Sequence, residues 1–592
     1  MKLKKSSHNH ANLAKAIALG LAVAGLSVHS TQAQTTWDGG GGTNVLNTNT
    51  NWTTDTLPST SATWDGTPSG NLSLVWEANL GDSVNGMSLN VNAGQTGTLN
   101  LDAANGTVAL NISNITVASG AGAFSIGNGD ATTARTVFRG NGNASGSIHT
   151  FTNNSANAVV FQSDVQFDSG GGWARTLEFK GSGDWVFNSG LYAQGVAVFS
   201  LNVNGTGANT VTLNAASADA AQNNNINFGT LSLTNGDALG NSGSGTLRIA
   251  GSPGTKTLML SNNIALNAAV ANINIGGKAA ASDVVTEAAI LNQSGNNSIA
   301  GKVTFAEAGG GSINILSQAG TLTLNGTVSA NVATSTATRN INFAGAGNII
   351  VNGAITDGTD DPVIISKTGN GTTTVTNANT YTAGTSVTAG TFLVNNSTGS
   401  GTGTGAVNVT GTATTLGGTG SMDGGVTVGS GSILAPGGAG IESLGAGSLA
   451  LNDGSTFSFE LNTTSPAADL LFASDASAPL TLSGTVTLSL SDLGSGGALA
   501  MGTKLTLISY NTSWNNGIFT GLADDSTFTF AGNQWVINYN DTSAGSNFNS
   551  DAVAFGTSFV TITVVPEPST CALIGLACLG GVLATRRRLA RY

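Results

Sequence analysis

Short segments of one shape recur along the chain: a glycine, a threonine, then a triplet whose first and third residues are apolar. They stand at residues 97–101, 106–110, 229–233, 245–249, 320–324, 390–394 and 484–488. Successive side chains of an extended strand point to opposite faces, so each triplet buries two side chains and shows one to solvent. A composition of 84 glycines in 592 residues with 8% charged residues would by itself suit a flexible polymer. The 40% apolar fraction, arranged in alternating runs bounded by Gly, Asn and Ser, argues for strands instead. Between the two ends of the chain no stretch has the period of an amphipathic helix.

Recurring strands with glycine and asparagine corners predict an all-β solenoid, a right-handed parallel β-helix in which stacked coils share one core. Antiparallel β-sandwiches also alternate. With only 9 prolines and with Gly and Asn at the corners, the solenoid is the better reading. Roughly 20 coils at about 4.8 Å each predict a rod near 100 Å long. Outward Thr, Ser and Asn are expected to form ladders along it. The coils are assigned to 96–460, between an N-terminal β cap at 34–95 and a C-terminal β cap at 461–564. Trp37, Trp52, Trp64 and Trp76 crowd the first of these, Trp173 and Trp185 follow, and Trp514 and Trp535 mark the second. Bulky aromatics closing exposed strand edges explain this distribution better than tryptophans displayed for stacking on sugars.

The termini carry address signals. Lys2, Lys4, Lys5 and Lys15 precede an apolar run at 16–26, and Thr31-Gln32-Ala33 supplies small residues for a cut after Ala33. Residues 1–33 therefore read as a secretory signal peptide, removed by signal peptidase. At the other end, residues 565–592 place Pro566, Glu567 and Pro568 before an uncharged apolar segment, taken as a transmembrane helix at 570–585. Arg586, Arg587, Arg588 and Arg591 follow as a membrane stop. The prolines hold the motif extended.

This tail resembles the PEP-CTERM sorting signal of Gram-negative bacteria. The resemblance implies that Pro566, Glu567 and Pro568 are recognised by an exosortase, a membrane cysteine protease. The chain would be held transiently in the inner membrane, cut near the motif, and delivered to the outer surface or the extracellular matrix. A second resemblance, to autotransporter-associated β-strand repeats, covers about 75 residues at 366–440. It rests on Gly369, Gly371, Asn379, Tyr381, Gly384, Thr385, Gly390 and Val394, continued by Gly417 to Gly420 and by 431–437. It implies a parallel β-helix of the kind found in bacterial surface passengers. About 100 residues follow these repeats, with no series of strands suited to a membrane barrel, so the tail is expected to take over the barrel's export role.

The two signals hold eight of the 19 basic residues. The 11 that remain, against 31 acidic ones, leave a body near −20 in charge. Such a surface is unsuited to nucleic acid. Both cysteines, Cys571 and Cys578, lie in the apolar tail. His149 is the body's one histidine, expected on the outward face of its strand, with no nucleophile elbow beside it. No metal or cofactor site and no catalytic set is predicted. The alternative is a carbohydrate-active β-helix enzyme, a polysaccharide lyase or hydrolase, which needs carboxylates and a basic residue on one face. Its candidates would be Asp360-Asp361, Asp524-Asp525, and a basic group of Arg135, Arg139, Arg175 and Lys180. The favoured function is a non-enzymatic surface or matrix solenoid with a structural or adhesive role, partnered by extracellular polysaccharide.

Overall fold

A computed structural model describes residues 35–81, 85–104, 108–127, 135–138, 147–167, 175–193, 199–217, 223–240, 245–251, 254–267, 270–277, 281–307, 311–331, 337–438, 440–547 and 556–566. The fold is all-β, about 2% helical, and its body is a parallel β-solenoid of about 14 turns. At the usual inter-strand spacing this is roughly 65–70 Å of stack, shorter than the sequence pattern suggests. The reason is coil length. Thr388 donates to Lys367 O on the neighbouring coil 21 residues away, but Thr257 reaches Ala288 O only across 31 residues. Corner insertions lengthen the earlier coils without adding strands to the stack.

Three faces build the rod. The first runs from Thr35–Thr36 through Ser61–Trp64 and Met87–Val91 to Ala109–Val117, all in parallel register. There it divides, because the first half of Ala109–Val117 pairs with Arg135–Phe138 and the second half with Ser147–Asn153. The second face starts with Leu72–Trp76 on Leu99–Ala103 and ends with Leu449–Leu451 on Thr481–Leu482. The third begins midway, at Ala265–Leu266 on Asn296–Ile299, and ends with Thr456–Asn462 on Thr487–Asp492. Stacking thus extends well into 34–95 and past 460.

The recurring triplets behave as their alternation requires. Leu99 and Leu101, Leu247 and Ile249, Leu322 and Leu324, and Phe392 and Val394 all point into the core. Each such side chain contributes about 1.5–3 kcal/mol through burial. Phe161 lies 4.6 Å from Phe187 with rings 5° from parallel, one coil apart. Outside, polar side chains bond along the rod axis. Asn188 donates to Gln162, Asn214 to Asn188, and Thr234 to Asn214, at 2.7–2.8 Å. These corner ladders replace long charged side chains as the solubilising surface.

The tryptophans close the rod. Trp37, Trp52, Trp64 and Trp76 are buried. Trp37 meets Trp52 edge-to-face at 5.2 Å, Trp52 meets Trp64 at 5.8 Å, and Trp52 Nε1 donates to Leu46 O. Trp185 lies in the core of the body, between Phe151 and Phe179. Trp173 lies outside the described residues. At the far end Lys504–Tyr510, Ser558–Val565, Asn533–Asp541 and Thr527–Phe530 form an antiparallel sheet. It joins the body through Leu470–Ala473, which pairs parallel with Lys504–Tyr510. Trp535 is buried there. Trp514 stacks on Tyr539 at 5.0 Å. No helix of the described residues is long and apolar enough to cross a membrane, and the segment 570–585 lies outside them.

Candidate functional site

Of the residues whose chemistry suggested catalysis, His149, Arg175 and Asp361 are interior. His149 is buried rather than outward, because the alternation of Ser147–Asn153 places His149, Phe151 and Asn153 together on the core side. Its Nδ1 lies 2.8 Å from Ser113 O. Desolvation, with the nearby Arg175 cation adding to it, pushes the imidazole down to about 4, against the Ser113 contact. Arg175, at the start of Arg175–Gly181 on the next coil, is also buried. Lys180 is at the surface and pairs with Glu178 at 2.8 Å. Arg135 opens a strand in register with Ala109 and Asp164, on a different strip of the first face from Arg175. Arg139 lies outside the described residues. Arg175 and Lys180 therefore do not share one exposed face.

The acidic pairs divide similarly. Asp361 is buried and accepts from Arg339 Nε at 3.1 Å. Asp524 accepts from Tyr539 N, and Asp525 accepts from Asn538 Nδ2, so both brace turns of the C-terminal sheet. Among the described residues no group of three or more His, Cys, Asp or Glu could hold a metal ion.

A different place has the shape of a site. A cavity of about 300 Å³ opens where the strands Thr391–Val394, Thr415–Gly418 and Leu470–Ala473 end. Phe472, half-exposed, forms one wall. Ser397, Thr419, Ser443 and Asp423 line it and are exposed. Asn396 fixes the shape: its Oδ1 accepts from Ser421 N at 3.0 Å and its Nδ2 donates to Gly399 O at 2.7 Å. Gly420 is required, since a Cβ there would lie 2.1 Å from Asn396 Oδ1. A Cβ on Gly445 would lie 2.9 Å from Ser421 Cβ. The sequence pattern does not single out this cavity. Its one local sign is Phe472, an aromatic at the outward position of its strand, where the body usually has Thr, Ser or Asn.

One residue before the strand Leu470–Ala473 lies an unusual carboxyl. Asp469 is buried and accepts from Glu442 N at 3.1 Å and Glu460 N at 2.8 Å. Burial pushes it up to about 7; the two backbone donors oppose this, and the Glu460 and Glu442 charges reinforce it.

Of the sorting residues, Pro566 is exposed and directly follows the last strand, Ser558–Val565. Glu567, Pro568, Arg586, Arg587, Arg588 and Arg591 lie outside the described residues, as does Ala33. Compared with protein-family models and with curated proteins, the chain matches none.

Proposed function

We propose that this chain is an exported, non-enzymatic β-solenoid that serves as a surface or extracellular-matrix scaffold, cut after Ala33 by signal peptidase and sorted at Pro566-Glu567-Pro568 by an exosortase. The observation that carries the reading is the place of the motif on the fold. The final strand is held in the C-terminal sheet up to Val565, and Val564 N still donates to Thr503 O. The motif begins on the next residue, at an exposed position, so a folded rod would present it to a membrane enzyme with almost no linker.

The surface chemistry agrees with a scaffold. Of the body's 11 basic residues, Arg175, Lys256, Arg339 and Lys367 are buried, which leaves the outside poorer still in cations. Outward Asn and Thr side chains bond from coil to coil in ladders along it. A rod of this kind offers length, rigidity and a polar, cation-poor surface to a hydrated polymer matrix.

The test is incubation with the polysaccharide of the producing cells. A scaffold co-sediments with the polymer and leaves its chain length unchanged. A fall in chain length that an Arg135→Ala or Arg175→Ala variant cannot produce would replace this reading with a carbohydrate-active enzyme.

A further inference from the structure

We propose that the cavity walled by Phe472 is a binding subsite for one neutral saccharide unit of a longer chain. The proposal deepens the scaffold reading and rests on it for where such a polymer is met.

The lining supplies the two things a sugar ring asks of a protein. Pyranoses carry an apolar face of C–H groups and a rim of hydroxyls. The half-exposed Phe472 ring gives a flat apolar surface for the first. Asp423, Ser397, Thr419 and Ser443 offer oxygens for the second. Among the described residues none of these four side chains makes a hydrogen bond. A carboxylate accepts from two neighbouring hydroxyl donors at once, and the serine and threonine hydroxyls both donate and accept. The volume of about 300 Å³ is at the small end for ligand sites, suited to one ring.

Charge decides the class. Among the described residues no Lys, Arg or His lines the cavity. Asp423 projects from its rim, on a body whose overall charge is strongly negative. Uronates, sulfated sugars and phosphates would be repelled rather than paired. The neighbouring face continues the same character. Thr372, Thr391 and Thr415 stack in register on successive coils, each half-exposed.

The site is also preformed. Asn396, itself buried, holds Ser421 and the 398–399 turn, and Gly420 and Gly445 leave room no other residue would leave. Little ordering is left for a ligand to induce.

The experiment is an array of neutral, amino-sugar and uronate oligosaccharides, probed with the exported protein and with Phe472→Ala and Asp423→Ala variants. Retention on neutral sugars is expected, with none on uronates, and a loss of about tenfold or more in affinity for each variant. Thermal unfolding checks that the variants fold. If Phe472→Ala loosens its sheet, Asp423→Ala, at an exposed side chain, decides alone. Absence of binding to any neutral sugar, preference for uronates, or binding unchanged in the folded variants overturns the subsite. The cellular fraction holding the protein is measured in parallel. Matrix retention without array binding removes the subsite and leaves the scaffold. Array binding by a chain found only in the inner membrane removes the scaffold and leaves the subsite.

Discussion

Arg339 Nε donates to Asp361 Oδ1 at 3.1 Å, and both side chains are withdrawn from solvent inside the solenoid. Arg339 also sits over the Phe305 ring at 5.1 Å. The pair ties one coil of the second face to the corner that follows it. Removing one partner leaves the other charge buried alone. Asp361→Ala is expected to destabilise this part of the rod by about 3–5 kcal/mol. A double variant, Arg339→Met with Asp361→Leu, should recover most of that loss. Hydrogen exchange of the 339–344 and 363–367 amides reads the effect locally, as suits a fold whose stability is a sum over neighbouring coils.

His149 makes the first coils sensitive to acid. Its folded-state value is depressed to about 4 from an ordinary 6.5. The neutral imidazole contributes fully above about 6.5, and its contribution is lost as pH falls through 4, because the unfolded chain takes up the proton first. The swing is on the order of 3 kcal/mol. Chemical unfolding of native protein and a His149→Gln variant between pH 7 and pH 4 should show the native advantage shrinking as pH falls. A constant difference would contradict the burial of the ring.

Asp469 acts in the opposite sense. Its folded value is raised to about 7 from 3.8, so the stability it contributes is present below about 3.8 and is lost as pH rises through 7. The native protein, relative to Asp469→Asn, should weaken between pH 4 and pH 7.5, with the change confined to the junction of body and C-terminal sheet. Exchange of the Glu442 and Glu460 amides, which both donate to this carboxylate, is the local readout.

Asn379 is a tie between coils. Its Oδ1 accepts from Ile355 N at 2.7 Å and its Nδ2 donates to Gly401 O at 2.6 Å, both within the core. Asn379→Ala leaves a buried donor and a buried acceptor without partners, at about 1–3 kcal/mol each. Asn379→Asp should be worse, since it replaces a donor with a buried charge. Denaturant midpoints of the two variants order the effect.

How much of this was legible in the sequence follows from which forces are local. Strand alternation depends on neighbours two residues apart, so the inward set, from Leu99 and Leu101 to Phe392 and Val394, could be read directly. The 366–440 repeat also had visible causes. Asn379 bridges coils, Tyr381 is buried with its hydroxyl 2.6 Å from Thr385 Oγ1, and Gly384 and Gly390 have positive φ. Coil length could not be read, because corner insertions such as the one bridged from Thr257 to Ala288 interrupt no strand. His149 was misplaced because the run Ser147-Ile148-His149-Thr150 invites the apolar isoleucine inward. The structure instead exposes Ile148, since Phe151 on the other parity sets the register. The cavity was invisible for a different reason. It is assembled from four coils whose spacing, 396 to 421 to 445 to 472, follows from stacking and from no pattern within any one of them.

The central claim is that this rod is a sorted surface protein, and its C-terminus tests it most directly. Mass spectrometry of the C-terminal peptide, fraction by fraction, should find a new end near Pro566 to Ser569 in the outer or extracellular material, with Arg586 to Tyr592 gone. An intact Tyr592 on protein confined to the inner membrane would contradict the account and make the chain a permanently anchored one.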